Sequence, residues 1–286
     1  MSSKTATSCT SATTLDMIVN LAFYKFAELA DPDATTAELT QLCEECGLMG
    51  SVIVASEGVN GMLAGTLEGA DRFCEAFLLM PGFAGTHLKR SYSAEVPFKK
   101  LRVRVKSEIV VLRAGDVDVN HTATHLAPED FRDAFRAGDA VVIDTRNDFE
   151  FNVGTFEGSI NPKTTAFSEF IAFLEEQRAE LEDKKVLMFC TGGIRCEKAT
   201  AWMQLNGFEN VFQLEGGVLN YFERVEDAEK DWKGELFVFD QRIALNTKLE
   251  QTAARRCTHC GLPIVSDEPK TCACGQPINV SEQASI

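Results

Sequence analysis

The chain predicts two α/β units of different kind in series, followed by a small cysteine-rich tail. Three observations carry that expectation. Over residues 17–91, short apolar runs and amphipathic segments follow one another as strand, helix, strand, strand, helix, strand, the order of a ferredoxin-like split βαβ unit. From residue 128 onward strands and helices alternate one for one, which implies a doubly wound parallel sheet with helices on both faces. Near the end, four cysteines fall in two close pairs. With 286 residues, 45% of them hydrophobic, the chain can bury two compact cores and a smaller third unit. The expected divisions are a disordered leader at 1–14, the first unit at 15–115, the second at 120–230 and an extension at 231–286.

In the first unit, Met17 to Phe26 reads as a strand and Thr36 to Gly47 as a helix with Leu39, Leu42, Cys43 and Cys46 on one side. Two short apolar runs follow, Ser51 to Ala55 and Gly61 to Ala64, joined by Ser56-Glu57-Gly58-Val59-Asn60. A second helix from Leu67 to Met80 turns Phe73, Phe77 and Met80 inward and stops at Pro81-Gly82. A strand at Thr86 to Ser91 closes the unit. Cys43 and Cys46 form a C-x-x-C pair, but they sit at i and i+3 of an amphipathic helix with no glycine turn, so core packing is the better reading.

Charge is unevenly distributed. The net charge is −15, which by itself argues against a nucleic-acid partner. Between His87 and Lys106, however, lie the cations Lys89, Arg90, Lys99, Lys100, Arg102, Arg104 and Lys106 against the single acid Glu95. Leu101 to Lys106 alternates strictly, so a strand there buries Leu101, Val103 and Val105 and presents Arg102, Arg104 and Lys106 on the other face. Cations repeated along a strand suit a phosphate backbone.

In the second unit, Pro128 to Ala137 is a short helix with Phe131 and Phe135 inward, and Ala140 to Asp144 a buried strand. Phe167, Phe170, Ile171, Leu174 and Leu181 mark one amphipathic helix. Val186 to Phe189 is an apolar run leading into Cys190, and a helix is expected from Cys196 to Gly207, followed by a strand at Val211 to Leu214. Cys190 therefore stands where a strand turns into a helix, and in such sheets ligands bind at the carboxyl ends of strands. Thr191, Gly192, Gly193 and Ile194 form the loop; its glycines let successive N–H groups point into one concavity, and the helix N-terminus adds partial positive charge. With Arg195, these features favour a thiolate at Cys190, the nucleophile candidate. Cys196 stands as a resolving thiol or as a packed helix residue. Asp144 and Arg146, at the end of a neighbouring strand, read better as loop-fixing residues than as part of the site. A cysteine phosphatase needs Cys-x5-Arg, and that position here is Cys196.

No apolar run approaches the length of a membrane span, and the leader has neither a secretory core nor the arginines of a transit peptide. The 10 cysteines are clustered unevenly, which fits thiols serving chemistry or metal in a reducing cytoplasm. Cys257, Cys260, Cys272 and Cys274 offer four thiolates for structural zinc. The second pair is Cys-x-Cys, one residue shorter than the usual knuckle, and His259 stands as a substitute ligand. The alternative is a reduced, flexible tail.

Several segments carry a resemblance. The loop Cys-x-x-Gly-x-Arg resembles that of the rhodanese family, whose cysteine carries a persulfide. Asp144 to Glu150, Gly154 to Pro162, Cys190 to Ala199 and Leu214 to Tyr221, together with Ala55 to Gly61 and Trp232 to Arg242 outside that unit, are similar in order and content to the bacterial tRNA uridine(34) hydroxylases. The resemblance covers about residues 17 to 245. It implies a rhodanese domain and oxygen-dependent conversion of the wobble uridine in the anticodon loop to 5-hydroxyuridine, with Cys190 required and molecular oxygen as co-substrate; the first unit, acylphosphatase-like, is then expected to hold the tRNA through Lys89, Arg90 and the Lys99 to Lys106 stretch. A thiosulfate-type sulfurtransferase with a persulfide on Cys190 is the alternative activity. No flavin, haem or iron motif is evident, and the sequence does not specify the oligomeric state.

Overall fold

The computed structural model describes residues 17–115, 117–265, 272 and 274–277; the expected leader at 1–14 lies outside them. The first unit is a five-stranded sheet of β1 (Ile18–Phe26), β2 (Met49–Ala55), β3 (Gly58–Gly65), β4 (Lys89–Ser93) and β5 (Leu101–Val105), in the order β4-β1-β3-β2-β5. β1 runs antiparallel to β3 and β4, β2 antiparallel to β3, and β5 is added parallel to β2. Helices α1 (Pro32–Glu45) and α2 (Leu67–Leu79) cover one face. There Leu39, Cys43, Phe73 and Phe77 pack on Val19, Leu21, Phe23, Val52 and Val54, so Cys43 and Cys46 are core residues. The opposite face of β1 and β4, with Ala22, Tyr24 and Lys89, turns toward the second unit.

Local chemistry moves several expected boundaries. α1 begins at Pro32 rather than Thr36, because Pro32 occupies the first helical position and the Asp31 carboxylate accepts from the Ala34 N–H. The link between β2 and β3 is only Ser56-Glu57, since Gly58, at φ +138°, already pairs with Ala55. The fourth strand starts at Lys89 because Thr86 turns back onto the Phe83 carbonyl through both its N–H and its hydroxyl. Val105, expected to be buried, is 40% exposed: β5 is an edge strand, and the core reaches only Leu101 and Val103.

The second unit contains, in order, β6 (Thr124–Leu126), α3 (Pro128–Ala137), β7 (Val141–Asp144), α4 (Asp148–Val153), β8 (Gly154–Phe156), α5 (Phe170–Glu176), α6 (Arg178–Leu181), β9 (Val186–Phe189), α7 (Ile194–Leu205), β10 (Val211–Leu214) and α8 (Gly217–Arg224). Its parallel sheet has the order β6-β10-β9-β7. Consecutive residues of β9 enter different layers: Val186 and Met188 pack with Phe170, Leu174 and Met203, whereas Leu187 and Phe189 pack with Phe131, Val218 and Tyr221. Burial on both faces explains why this strand is a continuous apolar run. The single helix expected over Phe167 to Leu181 is broken at Gln177. Between Leu174 and Leu181 no apolar residue continues the stripe, so nothing holds one straight helix against the core.

The core of this unit continues past residue 230. β11 (Trp232–Gly234) pairs antiparallel with β8, and Trp232, 5% exposed, sits against Phe156, Phe189 and Phe222. Small pairs follow: β12 (Leu236–Phe237) with β13 (Ala244–Leu245), and β14 (Arg255–Arg256) with β15 (Pro263–Ile264). Among the described residues no helix is long and apolar enough to cross a membrane.

Candidate active site

Cys190 follows β9 directly, and α7 begins at Ile194, two residues earlier than the apolar spacing indicates, because Gly193 at φ +104° caps it. Arg195 and Cys196 thus stand in the first turn of the helix. The Gly193 N–H donates to Cys190 Sγ at 3.0 Å. The loop carbonyls are held away from the sulfur: Val218 N–H donates to Cys190 O at 3.0 Å and Leu219 N–H to Thr191 O at 3.1 Å. The start of α8 comes this close because its first residue has no side chain; a Cβ on Gly217 would meet Cys190 O at 2.5 Å. Burial pushes the Cys190 thiol up, but the Cys196 thiol, the Arg195 charge and the backbone N–H groups of Arg195 and Cys196 outweigh it and bring it to about 5. Cys196 itself is pushed up, by burial and then by Cys190, so it remains the thiol that donates to its neighbour. Its sulfur also lies 3.6 Å from the Thr145 hydroxyl.

Arg195 is bound bidentately by Glu150, at 2.6 and 2.9 Å, and donates to Thr191 Oγ1 at 3.4 Å. Glu150 is fully buried in the first turn of α4. Asp144 and Arg146 do fix the loop: Arg146 forks onto Asp144, donates to Gly154 O at 2.6 Å and lies over the Phe189 and Trp232 rings. Thr191, Gly192 and Ile194 are half-buried and mark the side of the loop open to solvent.

The first unit completes this site. Tyr24 donates to Glu197 Oε1 at 2.8 Å, and a Cβ on Gly193 would lie 2.8 Å from its hydroxyl. Lys89 Nζ donates to Gly192 O at 2.8 Å and stands 5.2 Å from the centre of the Tyr24 ring. Glu197 also meets His125 at 3.0 Å and the Gln213 amide at 3.2 Å. Lys198 reaches Glu57 at 2.8 Å and Glu108 at 2.6 Å. Sequence reasoning missed Tyr24, Glu57, Glu150, Glu197 and Lys198. Glu57, Glu150, Glu197 and Lys198 lie inside segments that carry the resemblance, Ala55 to Gly61, Asp144 to Glu150 and Cys190 to Ala199, but nothing in those segments pointed to these pairings, and Tyr24 carried no signal.

The seven basic residues do not form one surface. Lys89 is buried in the cradle rather than exposed, and Arg90 pairs with Asp71 at 2.7 Å. Both belong to β4, at one edge of the sheet, whereas Lys99, Lys100, Arg102, Arg104 and Lys106 are exposed on or beside β5 at the other. The alternation that presents Arg102 and Arg104 to solvent holds.

In the tail, the sulfurs of Cys257, Cys260, Cys272 and Cys274 all lie within 4.8 Å of one another, with Cys260 and Cys272 at 3.6 Å and Cys257 and Cys274 at 3.9 Å. Four thiolates around one ion with bonds of about 2.3 Å stand about 3.8 Å apart, so the cluster fits a tetrahedral metal. His259 is outside the cluster. The short Cys-x-Cys pair suffices because each arm turns on its own first carbonyl, Gly261 N–H to Cys257 O and Gly275 N–H to Cys272 O.

Comparison with known proteins agrees with this architecture. Residues 18–109 match the UPF0176 acylphosphatase like domain and residues 127–224 the Rhodanese-like domain. A tRNA uridine(34) hydroxylase of Brucella anthropi is 41% identical over 248 residues, covering 86% of this chain and 81% of that protein. One from Mesorhizobium japonicum is 42% identical over 248 residues, covering 86% and 80%, and one from Acaryochloris marina is 42% identical over 255 residues, covering 88% and 82%. Identity at this level across both units and the segment that follows them is more than a shared cysteine loop would give, and the chain belongs to the tRNA uridine(34) hydroxylase family.

Proposed function

We propose that this protein hydroxylates carbon 5 of uridine 34 in the anticodon loop of tRNA, in the cytoplasm, with molecular oxygen as co-substrate and Cys190 as the catalytic nucleophile. The observation that carries the role of Cys190 is its sulfur accepting from the Gly193 N–H at 3.0 Å at the N-terminus of α7, a setting in which its neighbours lower it to about 5 and favour the thiolate. Carbon 5 of uracil becomes more reactive toward an electrophilic oxidant when a nucleophile adds at carbon 6. Addition of Cys190 Sγ there forms the S–C6 bond and moves the electron pair of the 5,6 double bond onto carbon 5 and O4, making carbon 5 electron-rich. Once that carbon has taken an oxygen atom, loss of its proton and departure of the thiolate restore the double bond. In balance, uridine, oxygen, two electrons and two protons give 5-hydroxyuridine and water, so a two-electron reductant is required.

The wobble base is single-stranded and can be splayed toward the half-buried side of the loop at Thr191, Gly192 and Ile194 without melting a helix. The exposed cations Lys99, Lys100, Arg102, Arg104 and Lys106 take the tRNA backbone. The four-cysteine cluster holds zinc as a structural ion that ties the two arms of the tail. The test is mass spectrometry of wobble uridines from cells lacking this protein, complemented with the wild type, Cys190→Ala or Cys190→Ser. The expected result is 5-hydroxyuridine with the wild type alone, and its loss without oxygen. Full modification with either variant would remove Cys190 from the mechanism.

A further inference from the structure

The peptide between Gly192 and Gly193 is gripped at both ends. Its N–H donates to Cys190 Sγ at 3.0 Å, and its carbonyl accepts from Lys89 Nζ at 2.8 Å. The two preceding carbonyls are pinned by the backbone of α8, but the third is held by a side chain from the first unit. That matters because a peptide flanked by two glycines turns over easily, and turning this one would present its carbonyl to the thiolate in place of its N–H. A chain of ammonium, peptide and thiolate also strengthens each of its hydrogen bonds by polarising the next.

Lys89 has no cheaper reason to be there. It is 6% exposed on β4, beside Ala22 on β1, and among the described residues no carboxylate lies within ion-pair distance of it. A buried ammonium without a counter-ion is costly, and an apolar residue would fill the space on the Tyr24 ring at less expense. What the ammonium meets instead is the Gly192 carbonyl, the Tyr24 face and the more distant charges of Cys190, Glu197, Glu223 and Glu215, with His87 on its own side. We propose that Lys89 is a positioning residue for Cys190: it pins the Gly192–Gly193 peptide with its N–H on the sulfur, and so makes ionisation of the nucleophile depend on the first unit. This takes Cys190 as the reacting thiol of the proposed function, but its test reads the thiol directly with no tRNA present. Burial lowers Lys89 to about 8, so thiolate and ammonium coexist between about 5 and about 8, and a rate that depends on both falls at each end of that window.

The experiment is a pH titration of the full-length protein carrying 13Cβ-labelled cysteine, with the Cys190 resonance assigned from Cys190→Ser and the Gly193 amide followed in parallel. In Lys89→Met the Cys190 titration should move up by about 1 to 2 pH units, the size that a nearby opposite charge produces, and the Gly193 amide proton should move upfield. Lys89→Arg should restore most of the shift. Lys89→Gln, which can still donate to the carbonyl without a charge, should fall between, and it serves as the comparison if the methionine variant does not fold. In the modification assay the fall above about 8 should disappear in Lys89→Met. A folded neutral variant, Met or Gln, in which Cys190 titrates at the wild-type value and the Gly193 amide is unmoved would overturn the proposal and leave Lys89 as packing.

Discussion

Lys198 should contribute strongly to holding the two units together. Its side chain is 5% exposed, and its Nζ reaches Glu57 on the β2–β3 turn at 2.8 Å and Glu108, shortly after β5, at 2.6 Å. Lys198→Met keeps the bulk and removes the charge, leaving two carboxylates facing each other. Removing one partner from a buried ion pair costs about 3–5 kcal/mol. The carboxylates here are 28% and 23% exposed, so water relieves part of that, and about 2–3 kcal/mol is expected, a substantial fraction of a domain's stability. Urea unfolding followed by the fluorescence of Trp202 and Trp232, both in or against the second unit, would measure it. The triple variant Lys198→Met, Glu57→Gln, Glu108→Gln should recover most of the loss, because neutral partners need no counter-ion. The pH dependence has a definite sign. Burial pushes the Glu108 carboxyl up, but Lys198 pulls it below its ordinary 4.5, so this contribution is full above that value and drains as pH falls through the lowered one. A loss below about 0.5 kcal/mol, within the range of ordinary surface substitutions, with the triple variant no different from the single one, would show that the clamp does not join the units.

Three further outcomes follow from the geometry. Replacing Arg102, Arg104 and Lys106 together by Ala should weaken tRNA binding and reduce its salt slope by about two to three; an unchanged slope, read by filter binding across a salt series, would mean a merely solvated strand face. Purified protein should carry about one zinc per chain by atomic emission, and Cys257→Ser with Cys260→Ser should abolish it; a metal-free wild type would refute the site. An excised second unit of residues 120 to 230 should modify tRNA very poorly and should also unfold more readily than the same unit extended to 246, because it lacks Trp232; equal activity to the whole chain would refute a site shared between the units.

Much of the fold was legible because its signals are local. The alternation of Val19, Leu21 and Phe23, the apolar run of β9, and the helical spacing of Phe73 and Phe77 each report burial directly. The loop around Cys190 was legible for the same reason, since strand, glycines and helix are contiguous. What escaped is everything set by approach of distant segments. Glu150 braces Arg195 from 45 residues away, Tyr24 meets Glu197 across 173 and Lys89 meets Gly192 across 103. A lysine in a basic stretch reads as surface, and only the pairing of β4 beside β1 shows that its side chain points the other way. Short elements such as β6, β8 and α8 escaped too, because three-residue strands and a helix opened by two glycines carry little period of their own.

The charge balance of the cradle favours a neutral base over an anionic sulfur donor. The Arg195 guanidinium is neutralised by a bidentate Glu150, and both are buried. It therefore stabilises the Cys190 thiolate only as one half of a pair, and a sulfonate would have to compete with Glu150 for it. Lys89, the other cation at the loop, is spent on a carbonyl and an aromatic face. A dianionic donor such as thiosulfate would bring two more negative charges beside a thiolate whose nearest guanidinium is already paired with Glu150 and whose nearest ammonium is turned onto the Gly192 carbonyl, a repulsion of several kcal/mol at the effective dielectric of a protein interior. Uracil brings no charge to the site and needs from it a reactive thiolate and N–H groups that can receive the electron density pushed onto O4. On this balance the cradle suits the activation of a neutral base, as in the proposed function, better than the holding of a dianion.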